Sequence, residues 1–475
     1  MKFSRLASSA AVLPLGGALA KPCAAPIEAD VAIIGGGSAG IHAAIHLRDA
    51  GASVVVVEKR HQIGGHAETY VNPQTGVPAN VGVVIFENRD VVSSYFDRLN
   101  VSILRANPLN PAPGALETKN YDFALGIPIP AQSEADAAAQ QAAVQAAAQS
   151  YAANVLAKYP WIDEGFLVPD PVPEELALPF GELAARYNFT ALLPIIWQFS
   201  WYAGDITTIP SLYGIKGFGP GLFNSTFGEF ILSASGDTRS LYEAAARELG
   251  DDVLLNATVV EVDRSKADGV SLVVQQPDQA AKRIRAKKLL IAVPPTLDNV
   301  GEYDLSDDER ELFSKFFAIG YWTGVATIPG LETNLANIGV TRPANQPIIP
   351  GTNGINTAGS PGDFLFGVGF DRSNYTDADG EAVMRDHLTK LAAAGAVPAD
   401  AAETVVFPYY SNHAPFNVRV SAEEIRDGFY GKLLALEGER NTYWAGAAFG
   451  SQNSALVWSF NEGTVLPGLK RDLGL

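Results

Sequence analysis

Two glycine-rich turns carry the clearest chemistry in this chain. The first, Gly35-Gly-Gly37-Ser38-Ala39-Gly40, is a G-x-G-x-x-G pattern set between an apolar run and a helical one. In that setting Gly35 allows a tight turn, Gly37 lets the backbone approach a pyrophosphate, and Gly40 lets helix and strand pack closely. Ser38 and Ala39 then fall in the first turn of the helix, whose free N–H groups and positive dipole end suit phosphate oxygens. Glu58, followed by Lys59, stands about twenty residues on, where a carboxylate takes the hydroxyls of a ribose. The second turn, Gly64-Gly65, runs into His66. A further glycine pair lets another stretch of backbone reach the same pyrophosphate from the opposite side.

The remaining histidines divide by context. His42 and His46 lie one turn apart on the helix after the first glycines. That spacing imitates a metal pair, but no third ligand is evident nearby, so a packing or solvent-facing role is expected and no metal. His61 reads as a loop residue, and His387, in a charged helix, reads as solvated. His413, flanked by Tyr409, Tyr410 and Phe416, either faces a pocket as base or orienting group or is bonded to backbone in a loop. Trp201, Tyr202, Trp322, Tyr409, Tyr410 and Trp458 could supply an apolar cage, which suits hydride transfer by excluding water, although most large aromatics are simply core.

These side chains need a scaffold to hold them. Asp30-Val-Ala-Ile-Ile-Gly reads as a buried strand, residues 38–50 as a helix, and Ala52-Ser-Val-Val-Val-Val-Glu58 as a second buried strand, together a βαβ unit. The Ala- and Gln-rich residues 131–157 predict a helix, and Pro169-Asp-Pro-Val-Pro173 a stiff connector. Strands are expected at Val259–Val262, Ser271–Val274, Arg285–Val293, Gly324–Ile328, Phe364–Phe370 and Thr404–Tyr409. A last strand, Thr442–Ala445, leads into a helix running towards Pro467. Gly217-Phe-Gly-Pro-Gly221 lacks flanking elements of the kind a second dinucleotide loop needs, so a bound nicotinamide reductant is not indicated.

Composition narrows the partners. The chain has 475 residues, long enough for two domains, and a formal charge of −18, which repels nucleic acid and anionic lipid surfaces. Lys2 and Arg5, the apolar run of residues 6–19 and Ala18-Leu-Ala20 read as a signal peptide over residues 1–20, and no later run suits a membrane span. Five N-x-S/T sequons, at Asn100, Asn188, Asn224, Asn256 and Asn374, agree with a secreted or lumenal glycoprotein. Cys23 is the only cysteine, which excludes an intramolecular disulfide and a redox-active cysteine pair.

Glu58 followed by Gly64-Gly65 resembles the E-x5-G-G run by which the flavin amine oxidase and phytoene desaturase superfamily binds FAD. Asn80-Val-Gly82, Val259, Tyr443-Trp-Ala-Gly446 and Asn461-Glu-Gly463 resemble later flavin-contacting motifs of that superfamily, in its order. Asn80 and Ala447 stand where acidic residues are usual, which leaves the ribityl contacts open. The resemblance implies an α/β, two-domain FAD-binding Rossmann-type fold with an interleaved substrate domain containing an antiparallel sheet and helices. Residues 29–90, 236–300 and 436–475 would form the FAD domain, and residues 91–235 and 301–435 the substrate domain.

A narrower similarity is to fungal β-cyclopiazonate dehydrogenase (oxidocyclase)-type enzymes. It rests on Gly64-Gly-His-Ala-Glu-Thr-Tyr70, Val81-Gly-Val-Val-Ile-Phe86, Leu178-Pro-Phe-Gly181, Tyr409-Tyr-Ser-Asn-His-Ala-Pro-Phe416 and Tyr443-Trp-Ala-Gly-Ala-Ala-Phe449. This similarity implies hydride removal from a C–N or C–C bond of a hydrophobic small molecule, with oxygen or another electron acceptor reoxidising the flavin. Tyr410 and Trp458, which lie in or beside segments similar to that group, become candidates for the substrate wall. His66 stands where many amine oxidases carry Arg, and it either bonds covalently to the flavin or sits beside the pyrophosphate. The lysine that amine oxidases hold near the flavin is missing from Phe316-Phe-Ala-Ile-Gly-Tyr-Trp-Thr-Gly324. Two alternatives therefore stay open: a double-bond isomerase that returns the hydride to its substrate, and a silent flavin- or ligand-binding protein.

Overall fold

The computed structural model describes residues 25–107, 114–200 and 204–475. The expected signal peptide, Cys23, Trp201 and Tyr202 lie outside these residues. Four consecutive valines, Val54–Val57, are all buried, as a strand covered on both faces requires. They pair in parallel with Ile27–Ile34, which pairs in parallel with the long strand Lys282–Ile291. The first half of that strand carries the antiparallel hairpin of Thr258–Asp263 and Val270–Gln275, and its last three residues take Thr442–Trp444 in parallel. Val253–Leu254 completes this seven-stranded sheet. Its strands come from three stretches of sequence separated by the whole of the second sheet.

The second sheet has eight strands and is antiparallel except where Asn334–Asn337 meets Thr118–Asp122. Its central strand, Phe317–Thr327, is flanked by Asp363–Phe370 on one side and Val406–Asn412 on the other. The expected strand at Thr404–Tyr409 begins later, because Ala401–Thr404 forms a helical turn. Alternation along Phe317–Thr327 sends Trp322 into the core behind the sheet, among Phe366, Met384 and Leu388. Tyr321 and Thr323 point the other way, towards the first sheet.

The helix Asp377–Ala393 corrects one expectation. His387 is buried, not solvated, because Met384, His387, Leu388 and Leu391 form one stripe against the second sheet, with the His387 ring edge-on to Phe123. The segment Gly217–Gly221 also differs: a helix, Pro220–Phe227, does follow it, but another helix, Ser211–Lys216, precedes it instead of a strand. Residues 131–157 contain the helix Glu134–Asn154, capped by Ser133, whose hydroxyl accepts from Asp136 N. No helix among the described residues is long and apolar enough to cross a membrane.

Candidate functional site: a cavity between the sheets

The site begins where the first strand ends. Gly35 turns with φ +103°, and a Cβ on Gly40 would lie 2.0 Å from the Gly35 carbonyl oxygen, so helix and turn meet only through glycine. The helix Ser38–Asp49 starts at Gly37 with no side-chain cap, which leaves its first amides free for a ligand. Glu58 is buried and braces the turn: its carboxylate accepts from Gly36 N and Arg60 N, each at 2.7 Å. A carboxylate has lone pairs beyond these two, enough for ribose hydroxyls. The second glycine turn is tied to the first, since Gly64 N donates to Gly36 O at 2.8 Å. A Cβ on Gly65 would sit 3.1 Å from the Gly37 Cα, so the two backbones meet face to face.

These turns open into a cavity of about 700 Å³. Gly35, Gly37, Ser38, Ala39, Glu58, Lys59, Gly64, Gly65, His66, Gly82, Val259 and Gly446 all line it. Gly40 does not; its contribution is the close helix–strand packing behind the wall. Past the glycines the cavity runs to the second sheet, where Tyr321, Thr323, Leu365, Phe366, His413 and Phe416 close it.

His413 is held by what surrounds it. Its backbone N–H donates to Tyr321 O, and its ring stacks on His66 with centroids 4.0 Å apart and planes 7° from parallel. A Cβ on Gly82 would come within 2.6 Å of the His413 ring, so Gly82 makes the space. Nε2 of His413 lies 3.8 Å from Glu68, and is buried with no hydrogen-bond partner. Glu68 accepts from Tyr409 Oη at 2.9 Å and Ser411 Oγ at 3.0 Å and pairs with Arg60. Burial alone would raise the Glu68 carboxyl, but His413, Ser411 and Arg60 outweigh it and pull it down to about 2. Burial lowers His413, against the pull of Glu68, and burial with the neighbouring His413 holds His66 well below the usual imidazole range. Both rings are therefore neutral at pH 7, with a lone pair to offer.

The other two expected wall residues are elsewhere. Trp458 is fully buried in the helix Ser454–Phe460, stacked on His42 and Phe86, with its Nε1 donating to Ser38 O at 3.3 Å. It supports the glycine-loop helix and does not reach the cavity. Tyr410 is 41 % exposed and its ring contacts Trp322. Along Val406–Asn412 the alternation gives Tyr409 and Ser411 to Glu68 and turns Tyr410 outward. Asn80, which stands in an acidic position, works as a clamp: it accepts from Thr238 N and Thr69 Oγ1 and donates to Gly236 O.

Sequence reasoning assigned no role to several residues that the fold brings to the site. Glu68 and Arg60 meet Tyr409 and Ser411 across more than three hundred residues, a contact no local pattern encodes. Gln452 places Nε2 3.2 Å from His66 Nδ1. Glu87 accepts from Asn453 Nδ2 at 2.6 Å, and burial together with the Asp163 carboxylate holds it above the usual carboxyl range.

A βαβ turn with an uncapped helix, a second glycine loop bonded to it and a carboxylate at the next strand end define a dinucleotide-binding protein. The cavity beside that turn continues to a second, mostly antiparallel sheet. Comparison with known proteins is more specific. Residues 38–383 match the family described as flavin containing amine oxidoreductase, and the chain belongs to that family. It is 58 % identical to FAD-dependent oxidoreductase dpchF of Colletotrichum higginsianum, with all of both chains covered. It is 33 % identical to β-cyclopiazonate dehydrogenase of Aspergillus oryzae, with 92 % of each chain covered. Among solved structures, a fatty acid isomerase from P. acnes that produces CLA superposes with a TM-score of 0.71 at 20 % identity, covering 92 % of this chain and 98 % of the other. Wild-type putrescine oxidase bound to putrescine gives 0.62 at 16 %, covering 93 % and 99 %. The protein is thus an FAD-dependent oxidoreductase related to enzymes of secondary metabolism.

Proposed function

We propose that this enzyme removes hydride from a C–N or C–C bond of a hydrophobic secondary metabolite, in a secreted or lumenal compartment. The observation that carries the reading is the far end of the cavity, closed by Leu365 and Phe416 with Tyr321, Thr323 and a neutral His413. Apolar walls exclude water and fix the donor carbon, and the bound flavin supplies the hydride acceptor. His413, its Nε2 edge turned to the ionised Glu68, would take on Nδ1 the proton that an amine or acidic C–H gives up. His66, neutral and lining the cavity, is the residue proposed to attach the flavin covalently. All five sequon asparagines are exposed, which supports passage through a glycosylating compartment.

The test is anaerobic mixing of purified holoprotein with hydrophobic amines and with β-cyclopiazonate, followed by the visible flavin band. Bleaching by at least one such donor, and recovery on adding oxygen or an artificial acceptor, is expected. A substrate rearranged with no acceptor consumed would replace this reading with the isomerase, and a flavin left oxidised by every donor would favour a silent binder. In a fungal host the chain should enter the secretory fraction with sugar removable by endoglycosidase; a cytosolic, unmodified product would sink the compartment.

A further inference from the structure

Behind the glycine loop the helix Ser38–Asp49 turns two imidazoles towards the end of the chain. His42 and His46 are four residues apart, so both rings leave the same face of that helix. Opposite them, the helix Ser454–Phe460 widens into a π turn, Asn461–Val465, before Leu466–Leu473 continues. Wide turns of this kind re-aim side chains and are concentrated at functional sites. Here the turn delivers Glu462, whose Oε1 lies 3.6 Å from His42 Nε2. One nitrogen from each histidine and one Glu462 oxygen all fall within 4.8 Å of one another. Nε2 of His42 and Nε2 of His46 are both buried, and neither has a hydrogen-bond partner.

We propose that His42, His46 and Glu462 form a binding site for a late first-row divalent cation, with zinc the best match. Two imidazoles and one carboxylate are ligands of that class, whereas calcium and magnesium prefer all-oxygen shells. In a tetrahedral zinc site ligand atoms stand about 3.3–3.5 Å apart, given bonds of about 2 Å. Closing the present spread, up to 4.8 Å, needs a movement of about 1.4 Å, and Glu462, with its side chain 45 % exposed, is free to make much of it. The opening to solvent on that side admits a water as fourth ligand. Asn461 Nδ2 donates to Ala39 O at 2.8 Å and stands 3.4 Å from His42 Nδ1; a metal on Nε2 puts the ring proton on Nδ1, so that approach must open as the metal binds. Trp458 stacks on the His42 ring and Tyr95 packs edge-on to it, fixing the ring's plane.

Neither histidine lines the cavity, so the metal would act on structure, clasping the glycine-loop helix to the C-terminal helix. The experiment uses untagged holoprotein stripped with a chelator and titrated with zinc sulfate, with bound metal measured by mass spectrometry after gel filtration. About one zinc per chain is expected, with a thermal unfolding midpoint that rises on zinc addition. His46→Ala and Glu462→Gln should each weaken binding about tenfold or more while flavin content stays at the wild-type level. Should His46→Ala fail to fold, Glu462→Gln, altered at an exposed carboxylate, decides alone. No zinc retained by the wild type, or zinc held equally by the folded variants, overturns the proposal.

Discussion

His66 and His413 share a stacked pair of rings, yet their surroundings give them different work. His66 follows the second glycine turn and meets Gln452; His413 is backed by the ionised Glu68. Acid precipitation checks the first role. Flavin colour should stay with the precipitated wild-type protein and pass into the supernatant for His66→Ala; colour released by both would reject covalent attachment. The second role has a pH signature. Glu68 carries a negative charge that favours protonated His413, so Glu68→Gln should move the His413 pKa further down. If His413 accepts the proton, it must be neutral to act, and activity falls on the acid side as it protonates. The acid limb of kcat/KM should then shift to lower pH by about one unit in Glu68→Gln, the usual size of one nearby charge. An unmoved limb would show that another group is the base. Arg60, Tyr409 and Ser411 also lose an ionic partner, so some fall in kcat accompanies the shift.

At the scale of elements, the glycine-loop helix and the strand Phe317–Thr327 make the sharpest predictions. Gly40→Ala places a methyl 2.0 Å from a backbone oxygen, which no side-chain rotation relieves. It should abolish flavin retention, read as the ratio of visible to protein absorbance, or prevent folding. On the strand, Trp322→Ala empties a fully buried site and should cost about 3–5 kcal/mol of stability, with KM little changed. Tyr321→Ala, one residue away on the cavity face, should raise KM about tenfold with a smaller loss of stability; matching effects from the two would deny the alternation. Much of this was legible in sequence because local pattern and tertiary role agree. The valine run, the glycine spacing and Glu58 name their own positions, and the Met384–Leu391 stripe shows why His387 had to be buried. Trp458 was not legible, since Ala455–Phe460 is buried on every side and leaves no periodic face to read. Tyr410 was misplaced for a related reason: its register on the strand Val406–Asn412 depends on pairing with Phe317–Thr327, which lies far away in sequence. The Glu68 cluster depends on the same pairing.

The whole molecule is one chain woven twice through two sheets, with acidic groups held in opposite states in different places. Glu68 is pulled down to about 2 by its partners, so its contribution to stability is complete above the ordinary carboxyl range and is lost as pH falls towards 2. Glu437 does the reverse. One oxygen accepts from Trp444 N at 3.0 Å, the other is buried without a partner, and burial pushes the carboxyl up to about 8. The unfolded chain releases this proton near pH 4.5, while the folded protein keeps it until about pH 8. Between those values the folded state binds the extra proton, so stability declines as pH rises and levels off above about 8. A gap of that width corresponds to a loss on the order of 5 kcal/mol. Glu437→Gln puts a neutral amide in the same space and has no proton to release. Thermal unfolding of the two proteins at pH 5 and pH 8.5 should therefore show similar midpoints at the lower pH and a clear advantage for the variant at the higher. A constant difference at both pH values would mean that Glu437 is ionised in the folded protein, with its charge met by a group other than Trp444.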